Sequence, residues 1–274
     1  MTDYVPSDVA EAVRQAAARL GPFAGRLFYF SVVSSTNDVA THLAADGAAD
    51  GTTVLAATQT SGRGRRGHAW FSPPDDGLYF SIVLRHLGRA PQVVTLMAGV
   101  AVAEALRDST GLAAELKWPN DVVVTTEVET ERGMVTRRKV AGILAEAPGS
   151  TDAADTIILG IGINVRRTEY PVELAACASS IEAEVAGPVD RAAVFVTVLE
   201  ALEHWRKRYL AGDRKILLTR WQELAPTSVG TRVAWRNDKA SRHGVTAGLA
   251  SDGALLVKCG CGTERIVGGE LTWL

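Results

Sequence analysis

The chain has 274 residues, with 29 lysines and arginines against 31 aspartates and glutamates, a formal net charge of −2. A sequence-independent grip on phosphate backbones needs a basic excess, so a general nucleic-acid binder is excluded. The 47% hydrophobic and 22% charged fractions likewise exclude disorder over most of the length.

Cys177, Cys259 and Cys261 are too few for the disulfide framework of a small secreted protein. The first residues carry Asp3, Asp8 and Glu11, and no stretch approaches the ~18 apolar residues of a membrane span. The sequence therefore reads as a cytoplasmic protein with no membrane partner.

In chain order, Ser7 is placed to cap a helix with Val9, Val13, Ala16 and Leu20 on one face, stopped at Gly21-Pro22. No second and third helix precede the strand expected over 27–33, so no helix-turn-helix DNA reader is expected. A short helix over 39–45 follows. Strand-like runs recur at 53–57, 78–85, 121–125, 139–146 and 156–163, with a helix over 91–109 between them. Two helices, from about Asp190 and from Asp213, close this part. The pattern predicts an α+β fold, a mixed sheet backed by helices. After Pro226, short strands at 231–236, 243–250, 254–258 and 263–267 predict a small C-terminal β-barrel, giving domains at 1–225 and 226–274. Segments 126–138 and 147–155 read as loops.

Five segments carry candidate chemistry. Gln59 to Trp70 contains Gly62-Arg63-Gly64-Arg65-Arg66-Gly67. It matches GxGxxG literally, but Pro73-Pro74 follow at once and no acid lies between Asp76 and Glu104, so the dinucleotide reading fails. Three glycines and three arginines make a loop that a polyanion would order. From the loop alone, a solvated basic turn explains it equally well. Lys117-Trp118-Pro119-Asn120-Asp121 is either a turn or a lysine, amide and carboxylate gathered for phosphate, ribose or Mg²⁺. In Lys139 to Glu146, Gly142 interrupts an apolar strand where a backbone or ligand comes close. The run 159–165 has glycines at 160 and 162 and ends near Asn164. Ser34-Ser35-Thr36-Asn37-Asp38 offers more hydroxyl and amide groups than one helix cap uses.

Together these segments resemble the biotin protein ligases, over most of residues 34–165, and the C-terminal strands are similar to that family's final, SH3-like domain. The resemblance implies a class II synthetase-like catalytic domain that makes biotinyl-5′-AMP from biotin and Mg²⁺-ATP. The biotinyl group then passes to a lysine of a biotin carboxyl carrier domain, such as that of acetyl-CoA carboxylase. By position, Ser35, Thr36, Asn37 and Gln59 would line the biotin pocket, with Gly62, Arg63, Gly64 and Arg65 closing over it and Gly142 beneath. Arg63, Arg65, Arg66, Lys117, Asn120 and Asn164 would face the nucleotide, and Trp70 would stack on adenine. Lys139, with Arg65 and Lys117, would carry the catalysis. The metal ligands are unassigned, Mg²⁺ being expected to arrive with ATP. The resemblance further implies a monofunctional ligase with no DNA partner, monomeric or dimerising on loading.

Two other readings compete. A lipoate ligase shares the general chemistry, although the arginine-rich loop favours biotin. A single-strand binder using the loop with Trp70 and Phe71 is opposed by the net charge. Cys259-Gly260-Cys261 lacks a second metal-spaced pair, and the five histidines form no HxH or HExxH pattern.

Overall fold

The apolar runs at 78–85 and 156–163 form the centre of a seven-stranded sheet. A computed structural model of the chain describes residues 2–88, 90–128, 134–148, 155–237, 240–260, 262–269 and 271–274. The strands are β1 (Leu27–Val33), β2 (Thr53–Gln59), β3 (Gly77–Arg85), β4 (Ala114–Lys117), β5 (Asp121–Val128), β6 (Met134–Glu146) and β7 (Thr156–Asn164). Their order is β1-β2-β3-β7-β6-β5-β4, with β1 and β2 parallel and the other neighbours antiparallel. In β3 and β7 every position but the last is buried. That double burial explains why these strands read as continuous apolar runs rather than alternating ones.

The helices are α1 (Ser7–Leu20), α2 (Thr36–Ala45), α3 (Pro91–Thr110), α4 (Val172–Ala175), α5 (Ile181–Val185), α6 (Arg191–Leu210) and α7 (Arg214–Glu223). Pro91 at the first helical position and Gly111 in the left-handed region bound α3. The Asp190 carboxylate caps α6 by accepting from the Ala192 and Ala193 amides. α3 lies against β4 to β7, with α6 and α7 packed on it and α1 on α6, and the large core forms between these helices and the sheet. α2 takes the other face, over β2, β3 and β7, where Ala40, Ala44, Val54, Val83 and Ile158 form a second, smaller core. Beyond α2 that face is left to the site.

Residues 226–274 form a separate five-stranded antiparallel sheet in the order β11-β10-β9-β8-β12. Its strands are β8 (Val229–Asn237), β9 (Ala240–Leu249), β10 (Leu255–Cys259), β11 (Gly262–Ile266) and β12 (Leu271–Trp273). Gly253 docks it: its carbonyl accepts from Trp118 Nε1 at 3.1 Å and Gln92 Nε2 at 3.0 Å. Its φ of +85° suits a residue without a Cβ, and a Cβ would also meet Leu96 Cδ1 at 2.7 Å. This contact brings the C-terminal sheet beside the Lys117–Asp121 turn.

Several local expectations change. Pro6, not Ser7, occupies the N-cap of α1. β5 and β6 extend into the segment read as a loop, with Thr125 opposite Arg137 and Thr126 opposite Thr136. Thr125, Thr126 and Thr136 are only partly buried, so the hairpin runs on without the apolar alternation that marks a strand in sequence. Residues 129–133 and 149–154 of the two expected loops lie outside the described residues, as does Cys261. Among the described residues no helix is long and apolar enough to cross a membrane.

Candidate functional site

Sheet register builds the floor of the site. Ser81 of β3, Gly160 of β7 and Leu144 of β6 stand in one row across the sheet. Tyr79, Gly162, Gly142 and Asp121 stand in the next row on that face. Glycine at 142, 160 and 162 therefore bares three adjacent points of one face. Asn37 lies over Gly160, where a Cβ would overlap its Oδ1, and the Trp70 indole lies over Gly142 and Gly162. A single cleft over this floor is lined by Ser35, Thr36, Asn37, Gln59, Arg63, Gly64, Trp70, Asn120 and Lys139, among others.

At one end the groups are small, polar and buried. Ser35 caps α2 by position, but its side chain makes no capping hydrogen bond, and Ser35, Thr36 and Asn37 are each less than 5% exposed. The Gln59 amide is fixed: Oε1 accepts from the Thr36 amide at 2.9 Å, and Nε2 donates to Ser72 Oγ at 3.0 Å. Ser81 Oγ donates to Asn37 Oδ1 at 2.5 Å and lies 2.7 Å from Thr36 Oγ1. Asn37 Nδ2 donates to Glu146 Oε2 at 2.7 Å. These bonds leave a set of pre-oriented amide and hydroxyl groups suited to a small uncharged polar head.

The Gly62–Gly67 segment is a hairpin tied to itself, since Trp70 N donates to Gly62 O at 2.8 Å and Gly64 N to His68 O at 2.7 Å. Arg66 and Gly67, both at positive φ, turn its tip. The hairpin splits its arginines. Arg63 points to the polar end, with Nη2 2.9 Å from both Asp38 Oδ1 and Glu146 Oε2. Two carboxylates on neighbouring elements hold it there. Arg65 and Arg66 instead line a second cleft with Lys117, Asn120, Asp121 and Lys139, closed on its far side by Gly269, Leu271 and Trp273 of the C-terminal sheet.

This second cleft is strongly cationic. Lys139 Nζ is 2.5 Å from Asp121 Oδ1 and 5.0 Å from the centre of the Trp70 ring. Burial pushes the Lys117 ammonium below the ordinary lysine range, Asp121 opposing the shift and Lys139 adding to it. Burial, then the neighbouring Arg66, pushes Arg65 down from the usual arginine value. Crowding like charges out of water is unfavourable on its own, and an anion in the cleft reverses that cost. Asn120 Nδ2 donates to Ile143 O at 3.0 Å, which leaves its Oδ1 available beside Asp121.

A third cleft opens past Trp70, lined by Phe71, Lys139, Asn164, Tyr170, Leu174, Cys177 and Ala178. Asn164 Nδ2 donates to Ser179 O at 2.9 Å, tying this segment to β7. Lys139 N donates to Cys177 O at 2.7 Å, tying it to β6. The Tyr170 hydroxyl is buried without a hydrogen-bond partner. Burial, then the Asp76 carboxylate, pushes its pKa up, so it remains a donor. The mix of flat apolar walls and amide oxygen suits a heteroaromatic ring. Trp70 lines all three clefts, and its ring lies over Gly142 and Gly162 of the glycine floor.

The candidate site residues named from sequence line these three adjoining clefts, except Gly62, which lies against Gln59, Trp70 and Ser72. Ser72, Ser81 and Tyr170 lie outside the five segments flagged in sequence, and Glu146 only ends one of them. Ser81 carries a signal of its own, a hydroxyl inside the apolar run 78–84 and fully buried in the fold.

Residues 29–164 match the biotin/lipoate A/B protein ligase family. The chain is 31% identical over 250 residues to a bifunctional ligase/repressor of Bacillus subtilis, covering 89% of this chain and 73% of that protein. It is 30% identical over 244 residues to a biotin–[acetyl-CoA-carboxylase] ligase of Paracoccus denitrificans, covering 86% and 96%. Among solved structures, the biotin protein ligase from Aquifex aeolicus in complex with biotin and ATP superposes with a TM-score of 0.76 at 28% identity, covering 91% of this chain and 99% of that one.

Proposed function

The chain belongs to the biotin/lipoate A/B protein ligase family as an ATP-dependent biotin ligase, and we propose how its residues divide the work. The observation that carries the assignment is the glycine floor running from the Ser35–Asn37 end to Lys139, with the cationic cleft of Lys117 and Arg65 alongside.

Ser35, Thr36, Asn37 and Gln59 hold the cyclic urea, whose carbonyl accepts and whose N–H groups donate. Gly62, Arg63 and Gly64 form the near wall, and Gly142, Gly160 and Gly162 let the bicyclic head and its chain lie on the sheet. The chain then delivers its carboxylate to Lys139. Arg65, Arg66 and Lys117 bind the triphosphate, Asn120 lies beside them, and Asn164 with Phe71 and Tyr170 receives the base.

Attack of the biotin carboxylate on the α-phosphorus brings two anions together and expels pyrophosphate. The barrier falls if the charges are neutralised and the reacting atoms aligned before reaction. Lys139 does both, because it reaches the floor of the biotin cleft and the cationic cleft at once. No protein nucleophile is needed. Mg²⁺ would enter with ATP, beside Asp121 and Asn120, and would add charge neutralisation at the phosphates.

In the second step the neutral amine of an acceptor lysine attacks the acyl carbon and AMP leaves. The acceptor in this reading is a biotin carboxyl carrier domain of acetyl-CoA carboxylase or a related enzyme. The test is biotin-dependent exchange of labelled pyrophosphate into ATP, with lipoate as the paired acid. Exchange with biotin alone is expected; exchange with lipoate alone would move the chain to the lipoate branch of its family.

A further inference from the structure

We propose that Glu146 determines which end of the Asn37 amide faces the ligand, and so sets the selectivity of the site for a urea over a head that donates at the same position. This inference rests on the reading that the polar end of the cleft takes the urea.

An asparagine amide presents a donor on one side and an acceptor on the other, and nearly equal shape lets it sit either way. Asn37 has two polar neighbours over the sheet. Ser81 Oγ lies 2.5 Å from Oδ1, and Glu146 Oε2 lies 2.7 Å from Nδ2. The hydroxyl makes no choice, because it donates or accepts as required. The carboxylate accepts only. A reversed amide would set its oxygen against that of Glu146, so the carboxylate fixes the orientation.

Glu146 is itself held. Its Oε2 also receives Arg63 Nη2 at 2.9 Å, and the same Nη2 lies 2.9 Å from Asp38 Oδ1. The Glu146 side chain is 38% exposed, and an ion pair so accessible adds little to fold stability. Its consequence is local. One N–H of Asn37 is engaged with Glu146, and the other remains for the cleft that Asn37 lines. That N–H matches the carbonyl oxygen of a urea. It opposes 2-iminobiotin, in which a cyclic guanidine places N–H groups where the oxygen stood.

Glu146→Gln keeps the shape but replaces the fixed acceptor with an amide that can turn together with Asn37. The test measures kcat and KM for biotin and for 2-iminobiotin in pyrophosphate exchange. The wild-type protein is expected to favour biotin strongly. In Glu146→Gln the ratio of kcat/KM values should narrow about tenfold or more, the scale of one mismatched buried hydrogen bond. The change should fall on KM rather than on kcat at saturating biotin. Asp38→Asn, which loosens Arg63 and leaves Asn37 alone, should not change the ratio. The double variant Asn37→Asp with Glu146→Gln offers only acceptors to the ligand and should favour 2-iminobiotin.

An unchanged ratio in Glu146→Gln, or an equal loss for both acids, would overturn the proposal while leaving the ligase assignment standing. Failure of the wild-type protein to exchange with biotin at all would remove the reading on which it rests.

Discussion

Gly162 of β7 lies beneath Trp70, so close that a Cβ on the glycine would overlap Cε2 of the indole. Gly142 on the neighbouring strand meets the same ring, with Cζ3 at 2.7 Å from a Cβ built there. The ring is rigid and rests on backbone, so a methyl at either position must lift the indole off the floor. Gly162→Ala is therefore expected to destabilise the fold by about 1–3 kcal/mol, the usual cost of overpacking, and to impair biotin binding. Gly99→Ala in α3 is the control: its Cβ meets nothing nearer than Leu116 Cδ2 at 3.4 Å. Replacing a mid-helix glycine there should stabilise by up to about 1 kcal/mol. Thermal melts of the two variants should shift in opposite directions, and equal shifts would count against the packing described.

Lys139→Ala should reduce adenylate formation at least about a hundredfold, the scale for removing a donor aimed at developing charge. The fold should survive. The Lys139 and Asp121 side chains are 30% and 25% exposed, so their ion pair is only partly desolvated. Pyrophosphate exchange and far-ultraviolet circular dichroism on the same sample separate the effects. Near-normal exchange would sink the role given to Lys139.

Arg65→Gly removes a guanidinium from the cationic cleft without touching the polar end, where Arg63 is held by Asp38 and Glu146. Biotin alone should bind as before, while biotinyl-5′-AMP should leave faster. The expected signature is biotinylation of lysines on an unrelated protein present in the assay. Acceptor selectivity identical to the wild type would show that Arg65 does not retain the adenylate.

Much of the site was legible because its groups are clustered in sequence. Ser35-Thr36-Asn37, the arginine loop and Lys117 to Asp121 each announce themselves as polar or basic runs, and the glycines at 142, 160 and 162 interrupt apolar strands. What was not legible depends on register. Glu146 and Ser81 meet Asn37 across separations of 109 and 44 residues. A one-residue slip in β6 or β3 would turn either to the opposite face. Arg63 and Arg65, two apart in the motif and alike in charge, diverge because Arg65 opens the tight turn at the hairpin's tip while two carboxylates hold Arg63. The same limit hid β12, a three-residue strand defined only by its pairing with β8.

Lys117 gives the site a pH dependence whose direction follows from its burial. Loss of hydration disfavours the ammonium, so its pKa lies below the ordinary lysine range despite the nearby Asp121 carboxylate. Binding the phosphates requires the charged form. As pH rises, the free protein should therefore lose affinity for ATP earlier than a solvated lysine would, giving an alkaline limb in kcat/KM for ATP. Bound phosphate favours the ammonium, so the same limb in kcat should lie at higher pH. Lys117→Arg substitutes a group that stays charged across this range, so whatever activity it retains should show the limb moved upward or lost. Pyrophosphate exchange measured against pH at subsaturating and saturating ATP checks both statements. If Lys117→Arg leaves the limb where it was, some other group is titrating and Lys117 is not the phosphate-binding lysine.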